Sequence, residues 1–203
     1  MPFPRSRLYL LFTPALCNGD PWQVLARALD GGVDAVQWRV AREDRPGFER
    51  CRESCRAARV PLLVNDDVML AVRGQVQGAH VGQTDIPAHA ARRLLADRWL
   101  GVSTHNVVQI TEAVAAGADY VGFGPCHATA TKGYEHGKSP AEIEAAVSHA
   151  AARGVPLFAI GGINAENLPG LLGLGVERIA VSSSILQSDD PRAAAAELLR
   201  RLG

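Results

Sequence analysis

The chain has 203 residues, 47% of them apolar, with 21 Lys+Arg against 21 Asp+Glu and a formal net charge of zero. That balance excludes the basic field expected of a nucleic-acid or anionic-membrane binder, so any bound anion must be held by locally placed groups. The length admits one large domain or two small ones, and no apolar run approaches the ~18 residues of a membrane span.

The opening Met1 to Arg7 is basic, but Leu8 to Phe12 is too short for a signal-peptide core. It reads as a first strand, and the protein is expected in the cytoplasm. Further β-rich runs follow at Ala35–Val40, Pro61–Asp66, Gly78–Gly82, Trp99–Thr104, Tyr120–Pro125, Pro156–Gly162 and Arg178–Ser183, making eight with Leu8–Thr13. Amphipathic runs separate them. Asp20-Pro21 opens the first helix and Gly31-Gly32 closes it. In Pro46–Val60, Phe48, Cys51, Cys55 and Ala58 share one helical face, which makes the two cysteines small core residues; no CxxC pair or nearby His supplies a metal site. Ser139-Pro140-Ala141-Glu142 has the form of a capping box, and Asp190-Pro191 opens a terminal helix. Strands alternating with helices pair in parallel through crossovers. The expected fold is α/β, a single parallel eight-stranded (β/α)8 TIM barrel over residues 1–203, with a doubly wound open sheet as the alternative.

In such a barrel the carboxyl ends of the strands and the loops after them form one mouth. In the second strand, Val36, Trp38 and Val40 share one face, and Gln37 and Arg39 the other. Burying the apolar set against helices points Gln37 and Arg39 into the barrel. An inward arginine needs a partner, either an anionic ligand or a barrel carboxylate such as Asp66. The third strand ends Asn65-Asp66-Asp67 and the fourth Gly82-Gln83-Thr84-Asp85. Asp66 and Asp85 could share one hard cation such as Mg2+, with Asp67 left to cap the next helix. Ser103 ends the fifth strand and can donate to an anion. His105 reads as a loop or helix-start residue, and His80 as structural.

Beyond the sixth strand, Thr129-Ala130-Thr131-Lys132 offers two hydroxyls and an ammonium, a set suited to phosphate. Gly161-Gly162 after the seventh strand and Ser182-Ser183-Ser184 after the eighth sit where this fold usually holds phosphate. Two anion sites are implied. One is metal-assisted, with Arg39, Asp66, Asp85, Ser103 and Lys132; the other uses Gly162, Ser182 and Ser183.

These motifs, in this order, resemble the thiamine-phosphate synthase family. The resemblance rests on Gln37-Trp38-Arg39, Val64-Asn65-Asp66-Asp67, His80 to Asp85, Gly101 to His105, Gly122 to Pro125 with Thr129 to Lys132, Ala159 to Ile163, and Val181-Ser182-Ser183. It implies condensation of hydroxymethylpyrimidine diphosphate with a thiazole phosphate, giving thiamine phosphate and diphosphate. By resemblance, Gln37, Arg39, Asn65, Ser103 and Lys132 bind the pyrimidine diphosphate. Asp66 and Asp85 hold Mg2+, and Thr129, Ala130, Thr131, Gly162, Ser182 and Ser183 bind the thiazole phosphate. The implied reaction is dissociative, with Arg39, Ser103 and Lys132 as its catalytic residues. The partners are then small phosphorylated molecules, with no nucleic acid or membrane; a homo-oligomer is compatible with the sequence.

The chain also departs from the family pattern. Ala41 stands where the family usually has a lysine, Arg42 is next door, and His127 replaces a common aromatic residue. The loop Gly133 to Lys138 differs as well, and Lys138 could supply a second charge. A thiazole tautomerase or a non-catalytic phosphate-ligand binder therefore remain alternatives.

Overall fold

The computed structural model describes residues 6–40, 44–128 and 136–203. Its strands are β1 (Leu8–Phe12), β2 (Ala35–Trp38), β3 (Leu62–Asn65), β4 (Gly78–Val81), β5 (Trp99–Thr104), β6 (Tyr120–Phe123), β7 (Leu157–Ile160) and β8 (Ile179–Val181). They form a closed barrel in chain order. Every pairing is parallel, and β8 returns to β1 with Leu8 opposite Ile179. That closure excludes the open sheet. The helices are α1 (Pro21–Asp30), α2 (Arg45–Ala58), α3 (Val68–Arg73), α4 (Ala88–Leu95), α5 (Val107–Ala115), α6 (Pro140–Ala151), α7 (Leu168–Gly173), α8 (Ser183–Leu186) and α9 (Pro191–Leu202). Among the described residues, no helix is long and apolar enough to cross a membrane.

Helix starts follow from local chemistry. The side chains of Asp20, Asp44, Asp67, Asn106 and Asp190 each accept a backbone N–H at the start of the helix that follows. Ser139 and Glu142 form the reciprocal capping box of α6. Each satisfies a donor that the first helical turn cannot pair internally.

Strands buried on both faces need apolar residues on both, which explains their nearly continuous hydrophobicity. Leu8, Leu10, Phe12, Val36 and Trp38 pack outward in the large core shared with the helices. Cys51 and Cys55 belong to that core, as expected. The barrel interior has a second cluster: Tyr9, Leu11, Ala35, Leu63, Tyr120, Phe158 and Ala180.

Several strands stop short of the expected bounds, β3 before Asp66 and β8 before Ser182. β3 ends at Asn65 because Asp66 turns into the left-handed region at φ 63°. β8 ends at Val181 because Ser182 is already the N-cap of α8. The chain bends at the mouth, where polar groups leave the ladder and face the cleft.

Candidate active site

One cleft opens at the carboxyl ends of the strands. Gln37, Arg39, Asn65 and Ser103 line one part of it; Gly161, Gly162, Ser182 and Ser183 line another. Leu11, Phe158, Ile160 and Ile163 supply apolar wall. The inward phase expected for β2 is observed: Gln37 is 3% exposed and its amide Nε2 donates to the Tyr9 hydroxyl at 3.0 Å.

Arg39 also lines the cleft. Burial lowers its pKa, and the negative charge of Asp66 works against that shift. Among the described residues its guanidinium donates no hydrogen bond, so its fork remains available to a ligand oxygen. Asn65 donates to the Asp66 carboxylate at 2.6 Å. In the loop after β4, the Asp85 carboxylate accepts the Gly82 N–H at 2.7 Å. The Ser103 hydroxyl meets His80 Nε2 at 2.9 Å, and the Gln83 amide donates to the Ser103 carbonyl at 2.5 Å.

The glycines after β7 have left-handed backbones, φ 100° at Gly161 and 62° at Gly162. A Cβ on Gly162 would come within 2.9 Å of the His127 Cβ, so only glycine brings this backbone to the cleft wall. The Asn167 amide donates to the Gly162 carbonyl at 2.8 Å and locks the turn. Ser182 Oγ donates to the Leu11 carbonyl at 3.0 Å, tying the end of β8 to β1. The family model described as thiamine monophosphate synthase matches residues 8–185.

The chain belongs to the thiamine monophosphate synthase family. It is 36% identical to the thiamine-phosphate synthase of Bacillus velezensis, over 93% of this chain and 87% of that protein. It is 39% identical to that of Geobacillus thermodenitrificans, over 96% of this chain and 91% of that protein. A solved structure of thiamine phosphate pyrophosphorylase from Pyrococcus furiosus superposes with a TM-score of 0.86 at 27% identity, covering 97% of this chain and 95% of that one.

Gln37, Arg39, Asn65 and Ser103, which the resemblance assigns to the pyrimidine diphosphate, line one cleft with Gly162, Ser182 and Ser183. Thr129, Ala130, Thr131 and Lys132 lie outside the described residues, as do Ala41 and Arg42. Lys138 is engaged elsewhere: its ammonium pairs with Glu142 at 3.0 Å at the start of α6, which answers the expectation that it adds a charge to the site. His105 is pinned by Nδ1 donating to the Gly124 carbonyl at 2.7 Å, which agrees with its reading as a loop residue, although its ring lines the cleft. Burial lowers the His127 pKa, and its Nε2 is buried with no described partner.

Sequence reasoning missed Tyr9 and Tyr120. Their rings meet edge to face inside the barrel with hydroxyls 3.0 Å apart. Burial pushes both phenol pKa values up, so both are neutral donors. The available hint was the strand phase: Tyr9 alternates with the outward Leu8 and Leu10. His80, read as structural, is 8% exposed and joins Tyr120 to Ser103.

Proposed function

We propose that this chain is a thiamine-phosphate synthase acting on hydroxymethylpyrimidine diphosphate and a thiazole phosphate. The bond from the pyrimidine methylene carbon to the diphosphate oxygen breaks, that carbon bonds to the thiazole nitrogen, and diphosphate leaves. The supporting observation is the convergence of Gln37, Arg39, Asn65 and Ser103 with Gly162, Ser182 and Ser183 on one cleft, in a chain that aligns with named synthases over nearly its whole length.

Such a substitution depends on positioning and on stabilising departing charge more than on a nucleophile. Arg39, half-buried in the cleft wall, is assigned to the diphosphate oxygens. Lys132 is assigned to the same charge, and Thr129, Ala130 and Thr131 to the thiazole phosphate with Gly162, Ser182 and Ser183. The walls formed by Leu11, Phe158 and Ile160 suit the flat faces of two heteroaromatic rings.

Mg2+ fits the donor set. Among the described residues no three metal-binding side chains gather at one point. Mg2+ needs fewer, commonly one or two carboxylates plus substrate phosphate and water. Asp66 and Asp85 follow adjacent strands, and among the described residues Asn65 donates to the Asp66 carboxylate and the Gly82 N–H to that of Asp85. When bound there, Mg2+ would neutralise diphosphate charge. Small phosphorylated molecules are the partners in this reading, within the cytoplasm.

The test is to mix both precursors with Mg2+ and the purified protein. Thiamine phosphate and diphosphate are expected in equal amounts. Isomerisation of the thiazole phosphate without diphosphate release would replace this reading with a tautomerase.

A further inference from the structure

Four hydrogen bonds run through the barrel interior from Gln37 to Ser103. The Gln37 amide Nε2 donates to the Tyr9 hydroxyl at 3.0 Å. The Tyr9 and Tyr120 hydroxyls are 3.0 Å apart. The Tyr120 hydroxyl is 3.0 Å from His80 Nδ1, and His80 Nε2 is 2.9 Å from Ser103 Oγ. These five side chains come from β2, β1, β6, β4 and β5, and all of them line the cleft.

The direction of the whole chain follows from its first link. An amide NH2 can only donate, so the Tyr9 oxygen is an acceptor toward Gln37. Tyr9 has one proton, and the hydroxyl of Tyr120 is the acceptor in reach. If Tyr120 donated to Tyr9 instead, the Tyr9 proton would be stranded inside the barrel, where an unmade hydrogen bond costs about 1–3 kcal/mol. Tyr120 therefore accepts from Tyr9 and donates onward to His80 Nδ1. An imidazole that accepts at Nδ1 carries its proton on Nε2, so it donates to Ser103 Oγ. With that lone pair filled, the Ser103 hydroxyl proton is turned away from His80 toward the cleft.

We propose that Gln37, Tyr9, Tyr120 and His80 form a one-way relay that holds His80 as the Nε2–H tautomer and makes Ser103 an obligate donor to the substrate. Tyr9, Tyr120 and His80 are positioning residues; Ser103 touches the ligand. The relay also links two groups assigned to the pyrimidine diphosphate, so loading at Gln37 and at Ser103 is coupled through neutral hydroxyls instead of charges. Naming the acceptor as an atom of the pyrimidine diphosphate rests on the proposed function; the direction of the relay does not.

The tautomer is read by two-bond 1H–15N correlation of histidine-labelled, ligand-free protein, with His80 assigned through its backbone. The Nε2–H pattern is expected, and an Nδ1–H pattern overturns the proposal whatever the protein catalyses. Gln37→Glu replaces the terminal donor with an acceptor-only carboxylate, so every link should reverse and His80 should switch to Nδ1–H. An unchanged pattern in a folded Gln37→Glu protein, recorded at a pH where the 13C shift of the introduced carboxyl shows it ionised, overturns the relay. A second arm guards against that variant failing to fold. Tyr120→Phe, which keeps the ring packing, should weaken binding of hydroxymethylpyrimidine diphosphate by about tenfold, the scale of one hydrogen bond. Once Ser103→Ala is present, Tyr120→Phe should cost less than about twofold. Equal losses in both backgrounds would give Tyr120 a merely structural role. Absence of any binding by the wild type would count against the proposed function, with the tautomer still deciding the relay.

Discussion

Gly101→Ala puts the barrel interior to a sharp test. In the register of the barrel, His80 on β4 lies opposite Gly101 on β5, and Gly101 lies opposite Tyr120 on β6. The glycine leaves a gap in that row, and the two flanking rings meet across it. A Cβ at position 101 would overlap Tyr120 Cζ and Oη and come within 2.5 Å of His80 Nδ1. The methyl group would therefore occupy the place of the His80–Tyr120 hydrogen bond. Overpacking of a dense core costs about 1–3 kcal/mol, and the stranded polar groups cost about 1–3 more. The smaller entropy of the unfolded alanine chain offsets about 0.4–1 kcal/mol. The expected net loss is about 1–5 kcal/mol with its centre near 3, which corresponds to about 6–12 °C in Tm for a chain of this size. Gly122→Ala is the control. Its Cβ would approach His80 Cε1 at 3.3 Å, which asks the ring to move only slightly. Its net change should stay within about 1 kcal/mol. Urea unfolding followed by tryptophan fluorescence measures both. If the two variants agree within about 0.5 kcal/mol, the interior has room that this reasoning denies it.

Two further outcomes follow from the site and from α6. Asp66→Asn and Lys132→Ala should each lower turnover on the order of 10²–10³-fold, with Tm nearly unchanged. Asn is chosen at position 66 because φ 63° is a backbone conformation that Asn tolerates and Ala resists. Undiminished steady-state product formation by either variant would refute its role. At α6, the backbone N–H of Ser139 is the main cause that holds the Glu142 pKa down from 4.5 to about 2, helped by Lys138 and the Ser139 hydroxyl. A depressed folded value means that the capping box contributes stability above the unfolded pKa and loses it as pH falls through about 2. NMR titration of the Glu142 carboxyl should show that low midpoint; a midpoint near 4.5 would mean the box is open in solution.

Much of this protein is legible without coordinates. The strand–helix alternation predicts the barrel because each signal is local: short β-rich runs, an Asp-Pro or Ser-x-x-Glu start, a Gly-Gly stop. The inward phase of Gln37 and Arg39 follows from the same alternation, since one neighbour decides which way the next side chain points. Strand-end polar groups could be gathered into one mouth because a parallel barrel sends all its carboxyl ends the same way. Strand lengths were less legible. A backbone bend such as that at Asp66 is imposed by the loop geometry of the mouth; an Asp tolerates it but does not announce it, since Asp67 beside it caps a helix instead.

Only the tertiary structure decided which polar groups meet. Tyr9 and Tyr120 are 111 residues apart, and nothing near either one names the other. Gly101 looks like any strand glycine until β4 and β6 are laid beside it and its missing side chain becomes room for two rings. Lys138 looked like a charge for the ligand, yet it is spent on Glu142 one helical turn away. Sequence periodicity determines the face a side chain occupies. Its partner depends on barrel register and closure, which bring together strands that are distant in the chain.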